Sequence, residues 1–377
     1  MRTRLTAALA SLTSFLVLSV SLAPSSAHAA QAEEEAAFDY TWTSASIKAV
    51  RDEARTAQRL RSPSAALSTA RDEFIKDAQA AGHHYKADEV DVFELSAPTQ
   101  RLQDGETTER SLIVASPKSY ELQYVRRAED KGAVIVVADG VATTSASQAG
   151  EAGSLTTWNP TDGGQFNITI TLEGQWIGKM LTMWQTQKIE DSSKTANWHG
   201  FSSKSVAEPN ENLEGRVTDY EIGYMRLRTD PYDSATFNHP RYLGGAWQDI
   251  QPATPFTGRC SEQTLNLAAS FGPVGLEVPI SFRDCDDYKP IFDHEYPGTY
   301  MLEMTQGNWL GDGPRELGYA LSLKTNTGVN LKYSQGQILR LIDQAGTNHN
   351  VAECGWSGRD HTCEVLEEEN RRAQQRS

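Results

Sequence analysis

Positive charge and cysteine are the two things this chain has little of. Lys and Arg number 35 against 50 Asp and Glu in 377 residues, a formal charge of −15. A field of that sign repels phosphates, so nucleic acid is excluded as an expected partner and simple electrostatic capture by anionic polymers is disfavoured. Cysteine occurs four times, as Cys260, Cys285, Cys354 and Cys363, and nowhere in the first two thirds of the chain. Local catalytic signatures are missing as well: there is no Gly-x-Ser-x-Gly, Ser-x-x-Lys, His-Glu-x-x-His, Walker loop or Gly-x-Gly-x-x-Gly. That removes the hydrolase classes that show themselves locally and leaves room only for an enzyme with a dispersed site. No cofactor is expected, and beyond the N-terminus no apolar run approaches a membrane span.

What is present begins with "MRTRLTAALASLTSFLVLSVSLAPSSAHAA". Arg2 and Arg4 precede an apolar run from Leu5 to Ala23, and Ala27-His28-Ala29 has small residues at the two positions that signal peptidases read. Residues 1–29 are therefore expected to be an export signal, with a retained membrane anchor as the alternative. Its removal leaves 348 residues carrying −17, because Arg2 and Arg4 leave with it. Such a length can bury a sizeable core without help from metal.

After a flexible, acidic lead-in at 30–43, residues 44–82 read as a helical hairpin. Ile47, Val50, Ala54, Ala57 and Leu60 recur at spacings of three and four, then Leu67, Phe74, Ile75 and Ala78; Arg61-Ser62-Pro63-Ser64 separates the two runs and Gly82 ends the second. The apolar stripes are narrow, so the pair should lean on something larger. From residue 89 the texture is that of strands. A small β unit is expected at 89–140, in which "SYELQYVRRAEDKGAVIVV" reads as a hairpin in preference to a helix and a strand. Residues 141–164, rich in Gly, Ser, Thr and Ala, read as a linker or long loop. An antiparallel β-domain is expected over 165–365, with strands near 166–172, 176–184, 220–227, 299–304, 319–324 and 329–333, and a charged tail follows at 366–377. The stretch from Arg228 to Gly258, dense in Pro, Gly and aromatics, reads as a long ordered loop of the kind that carries binding. The fold class is thus mainly β with an N-terminal helical hairpin, an antiparallel sandwich or meander.

Four cysteines in an exported chain read as two disulfides, and three pairings are possible. Leu265, Leu267, Ala269 and Phe271 alternate up to Gly272-Pro273-Val274-Gly275, and Leu276, Val278, Ile280 and Phe282 alternate back. Cys260 and Cys285 flank this hairpin at its open end, which favours joining them and, separately, Cys354 to Cys363. Loop-closure entropy puts the two rings at about 3.5 and about 2.7 kcal/mol. In "CGWSGRDHTC" a zinc site would draw on Cys354, Cys363, His361 and His349, but Cys-x8-Cys is not a zinc-knuckle spacing. Ser357 lacks the surroundings of a nucleophile, and a closed loop is the preferred reading.

The acids Asp284, Asp286, Asp287, Asp293 and Glu295 could ligate calcium or act as paired carboxylates, but without an Asp-x-Asp-x-Asp-Gly loop they read as a solvated turn. His83-His84, after the Gly that ends a helix, read as partners of the helix terminus. Among eight Trp, four lie beside turn residues, Trp158, Trp198, Trp247 and Trp309, and these are the candidates for a ligand-binding aromatic face. The alternating strands from Phe166 to Trp184 also permit a membrane-inserting hairpin, although the second strand is apolar on both faces.

The N-terminal stretch quoted above, with its Ala-rich helical continuation, and the closing "YALSLKTNTGVNLKYSQGQILRLIDQAGTNHNVAECG" resemble uncharacterised secreted β-rich proteins of high-GC Gram-positive bacteria. The resemblance covers the two ends and implies export but no activity. The expectation is a secreted extracellular protein that binds a glycan or another protein. A secreted enzyme with a dispersed site is the first alternative and a pore-forming protein the second.

Overall fold

The computed structural model describes residues 40–58, 65–96, 100–101, 107–108, 111–130, 133–142, 159–172, 175–190, 196–210, 220–256, 261–265, 280–284, 287–306, 314–343, 348–356 and 361–366. Two antiparallel sheets dominate. The larger runs, in spatial order, through β1 (Tyr40–Thr43), β6 (Tyr120–Asp130), β7 (Ala133–Ala142), β8 (Asn159–Leu172), β9 (Gln175–Glu190), β10 (Ala196–Pro209), β17 (Arg315–Asn326) and β12 (Ala246–Gln251). The smaller comprises β15 (Asp287–Phe292), β16 (Tyr300–Gln306), β11 (Tyr220–Asp233), β18 (Leu331–Asp343), β19 (Asn348–Trp356) and β20 (His361–Leu366). Both are open. Three short pairs complete the set: β2 (Val90–Ser96) with β5 (Ser111–Pro117), β3 (Gln100–Arg101) with β4 (Thr107–Thr108), and β13 (Ser261–Leu265) with β14 (Ile280–Asp284).

Period-2 alternation explains how the two sheets face each other. Phe166, Ile168 and Ile170 of β8, Met180 and Trp184 of β9, Phe201 of β10 and Leu317, Tyr319, Leu321 and Leu323 of β17 point one way. They pack against Met225 and Leu227 of β11, Leu302 of β16 and Leu339 and Leu341 of β18 in a single core. The sheets approach closely at Gly178, where a Cβ would stand 2.5 Å from Leu341 Cδ1.

The far side of the larger sheet is covered by a third layer. Helix α1 (Ser44–Gln58) buries Ile47 with Phe93 and Leu95 of β2 against Leu122 and Val125 of β6. Helix α2 (Ala65–Ala80) lays Phe74 and Ala78 on Leu181 and Met183 of β9 and Val206 of β10. The narrow Ala-rich stripes thus lean on strands, and β9 is buried on both faces. The end of α2 is a hydrogen-bonded stop: Gly82 takes φ +87°, its N–H reaches Gln79 O at 3.0 Å, and the His83 N–H reaches Ala78 O at 2.8 Å.

The structure departs from the sequence reading in several places. Residues 120–142 form the expected hairpin, β6 with β7, but β7 also pairs with β8 from Ala133↔Leu172 to Val141↔Gly164. The strands at 120–140 therefore belong to the same sheet as β8, β9 and β10 and are no separate unit. β8 starts at Asn159, inside the span read as linker, while residues 143–158 lie outside the described residues. The supposed long loop from Arg228 to Gly258 contains the end of β11 and all of β12, which leaves a shorter loop between Ser234 and Gly245. β10 is not visible in the sequence at all: "ANWHGFSSKSVAEP" has no apolar alternation, yet it lies between β9 and β17 over thirteen and twelve paired positions. Several of its buried polar groups have partners, Ser205 with Thr182 and Lys204 Nζ with Glu316 Oε2 at 2.9 Å among them.

Of the cysteines, Cys354 and Cys363 are register partners across β19 and β20. Cys260 and Cys285 lie outside the described residues, each next in sequence to one end of the β13–β14 ladder, whose last pair is Ser261↔Asp284. The proposed signal at 1–29, the lead-in up to residue 39, the break at 61–64 and the tail from 367 also lie outside the described residues.

Candidate functional site

Two loops meet at one end of the sandwich because of strand register. β16 begins at Tyr300, which pairs with Thr229 of β11 on one side and Phe292 of β15 on the other. β11 continues past that point to Asp233, so the loop after β11 (residues 234–245) emerges beside the β15–β16 connection (residues 293–299). Trp247, on the edge strand β12 of the larger sheet, bridges to the smaller one. Its Nε1 donates to Asp293 O at 2.8 Å and its ring meets Phe292 edge-on at 6.3 Å.

Each loop is held by its own carboxylate. Asp233 Oδ2 accepts from the Thr236 N–H at 3.0 Å and the Thr236 hydroxyl at 2.8 Å, and Oδ1 accepts from the Asn330 N–H at 3.1 Å. Burial would raise this carboxyl, but those hydrogen bonds outweigh it and hold it below the usual range. Asp293 Oδ1 accepts from the N–H groups of Glu295 at 2.8 Å and Tyr296 at 3.1 Å, a side-chain turn of the kind aspartate favours. The first loop then closes through a short 3-10 turn at Pro240–Leu243, ended by Gly244 at φ +66°.

Rigid loops here present aromatic side chains to solvent. Phe237 is 52% exposed, Tyr242 65% and Tyr296 53%, and these are the large apolar side chains that stay exposed among the described residues. Phe237 stacks on Tyr232 at 5.9 Å, and Arg241 lies 4.6 Å from the Tyr242 ring while its Nη2 donates to the Tyr242 hydroxyl at 2.6 Å. Between the loops is a groove of about 350 Å³, lined by His239, Arg241, Ile291, Phe292, Asp293, Tyr296, Gly298, Thr299 and Met301. Its size falls in the range of small-molecule sites, and its lining mixes an apolar floor with a few polar groups. The His239 Nδ1 is buried without a hydrogen-bond partner among the described residues.

The four tryptophans marked in the sequence do not form one face. Trp158 and Trp309 lie outside the described residues. Trp198 pairs with Lys324, whose Nζ sits 5.4 Å from its ring, whereas Trp247 pairs with the fully buried Leu323. Neighbouring positions on β17 point to opposite sides, so the two indoles are on opposite faces of the sheet. Trp247 supports the groove from behind. Tyr296, Tyr242 and His239 were missed because a lone Tyr or His in a turn carries no periodic signal; the one usable hint was the aromatic density of 228–258.

A second cavity, about 140 Å³, lies between α2 and the larger sheet. Lys179 Nζ contacts Asp77 Oδ2 at 2.9 Å and Glu208 Oε2 at 3.1 Å beside it. Burial raises the Asp77 carboxyl despite Lys179, while for Glu208, where burial also pushes upward, the two lysines win and lower it. This cavity is well below ligand size, and the ion cluster fastens the helix to β9 and β10. His83 and His199 are likewise structural. Burial first, then His84 and Lys204, lowers His83 to about 4, so its imidazole is not the cationic partner of the helix end that its position suggested. His199, bonded through Nε2 to Thr325 Oγ1 at 3.0 Å, is lowered to about 3, chiefly by burial and further by Lys188. Asp284 ends β14, Asp287 begins β15 and Asp293 and Glu295 lie in the turn, while Asp286 lies outside the described residues, and no group of three or more potential metal ligands gathers among the described residues. No described helix is long and apolar enough to cross a membrane. No family model matches the chain, and no curated protein does.

Proposed function

We propose that this is an exported, extracellular binding protein that holds a glycan in the groove between the 234–245 and 293–299 loops. One observation carries the reading: the exposed large aromatics of the described structure, Phe237, Tyr242 and Tyr296, are concentrated on those two loops, and Tyr296 lines a ligand-sized groove beside His239, Arg241 and Asp293. Exposed aromatic faces flanked by hydrogen-bonding groups suit a sugar ring, which has apolar C–H faces and polar edges. A scattered Leu on a surface needs no explanation; a cluster of aromatic rings on braced loops does.

The purified protein is expected to be retained on at least one insoluble polysaccharide. Tyr296→Ala should weaken that binding about tenfold, equivalent to about 1.4 kcal/mol, with the melting temperature unchanged because the ring is half in solvent. Retention by none of a panel of chitin, cellulose and cell-wall polysaccharides would remove the reading. Retention that Tyr296→Ala and Tyr242→Ala leave untouched would move the site elsewhere.

Export implies oxidised cysteines. Residues opposite each other in an antiparallel ladder have Cα atoms about 4.5–5.5 Å apart, within the span of a disulfide, and Cys354 stands opposite Cys363. Thiol titration of the unfolded but unreduced protein should find no free thiol. Four free thiols would contradict both the pairing and the compartment.

A further inference from the structure

Resting on the glycan reading of this groove, we infer that the sugar it accepts is a 2-acetamido sugar, of the N-acetylglucosamine type, and not an all-hydroxyl ring. The argument comes from the floor. Ile291 and Met301, register partners across β15 and β16, give the groove an apolar floor. A ring bearing only hydroxyls can lay its C–H face on Tyr296, but any hydroxyl turned to this floor loses water and finds no partner, which opposes binding. An acetamido methyl turned to the same floor buries apolar surface at no such cost.

The polar groups fit the rest of the substituent. Asp293 uses Oδ1 for the Glu295 and Tyr296 amides, and its Oδ2 has no bond among the described residues. A carboxylate oxygen accepts, and the acetamido N–H donates. Arg241, which also lines the groove, carries N–H donors for the acetamido carbonyl.

The test is calorimetric titration of the full mature chain with chitotriose, cellotriose and the trimer of free glucosamine, which share one β-1,4 backbone and differ at C2. Chitotriose should bind at least about tenfold more tightly than cellotriose, the discrimination that a filled or empty methyl site gives. Asp293→Asn keeps the Oδ1 that caps the turn, so the fold persists, and it should bring chitotriose down to the level of cellotriose while leaving cellotriose unchanged. Equal affinities for chitotriose and cellotriose, both lost in Tyr296→Ala, would overturn the acetamido inference and leave the glycan reading standing. Tighter binding of the free-amine trimer would overturn it in favour of charge recognition. Binding of none of the three, with retention on some other polysaccharide, would also overturn it, and absence of any glycan binding would overturn the reading on which it rests.

Discussion

Phe201→Ala is expected to lower the unfolding free energy by about 3–5 kcal/mol. Phe201 is fully buried on β10, in the middle of the larger sheet, and faces the smaller one. Its ring stacks on Tyr333 of β18 at 4.6 Å and lies 5.7 Å from Tyr319 and 6.2 Å from Trp184. Truncation removes the ring that joins the two sheets and leaves a void among three large aromatics that cannot collapse into it, because each is fixed by its own strand. Domains of ordinary stability hold about 5–15 kcal/mol, so the loss is a large fraction of the whole. Urea titration should show the midpoint falling with little change in slope. Phe237→Ala, a residue 52% exposed, should move it by no more than about 0.5 kcal/mol. Equal effects from the two variants would mean that the Phe201 ring is not buried between the sheets.

The second large effect is acid sensitivity. In the fold His199 titrates at about 3 and His83 at about 4, both held neutral mainly by burial. In the unfolded chain each titrates near 6.5. Below that pH the unfolded state binds protons that the native state refuses, so mass action favours unfolding, and stability falls as the pH drops from about 6.5 toward those native values. Above 6.5 neither form is protonated and the histidines exert no such pull. For His199 a displacement of more than three pH units corresponds to a loss on the order of 4 kcal/mol by about pH 3. Carboxylates contribute in both directions at lower pH: Asp77, whose carboxyl is raised, opposes the trend, and Glu208 and Asp233, whose carboxyls are lowered, add to it. Between pH 6.5 and 5 the histidines dominate. Urea midpoints measured across that window should fall steadily, and His199→Gln, which can still reach Thr325 without taking a proton, should flatten the curve. A variant curve parallel to that of the parent would refute the assignment.

Three kinds of signal behaved differently. The run Phe166 to Leu172 and the pair of runs around Glu129 to Gly132 were legible, because half-buried strands must alternate and tight turns need particular residues. β10 was illegible for a physical reason. With β9 and β17 on its edges, the core before it and α2 behind it, it is buried on both sides, and Ser205 and Lys204 are tolerated by a polar seam contributed from other strands, Thr182 to Ser205 and to Gln337 Oε1 at 2.8 Å and Lys204 to Glu316 being bonds of it. Propensity read along one chain cannot register partners that are more than a hundred residues away. The groove was half legible: aromatic density pointed at residues 228–258, but its other wall comes from 291–301.

By itself the sequence determined the class of the molecule: mainly β, two early helices too narrow to stand alone, and a net negative charge. Those follow from periodicity and charge, which are local or additive and survive without coordinates. Only the tertiary structure decided that residues 120–142 join the sheet of 159–209, that Trp198 and Trp247 point to opposite faces, and that Tyr296 comes to share a groove with His239. Each of these depends on strand register and on which sheet edge meets which, and register is set by the packing of both faces at once.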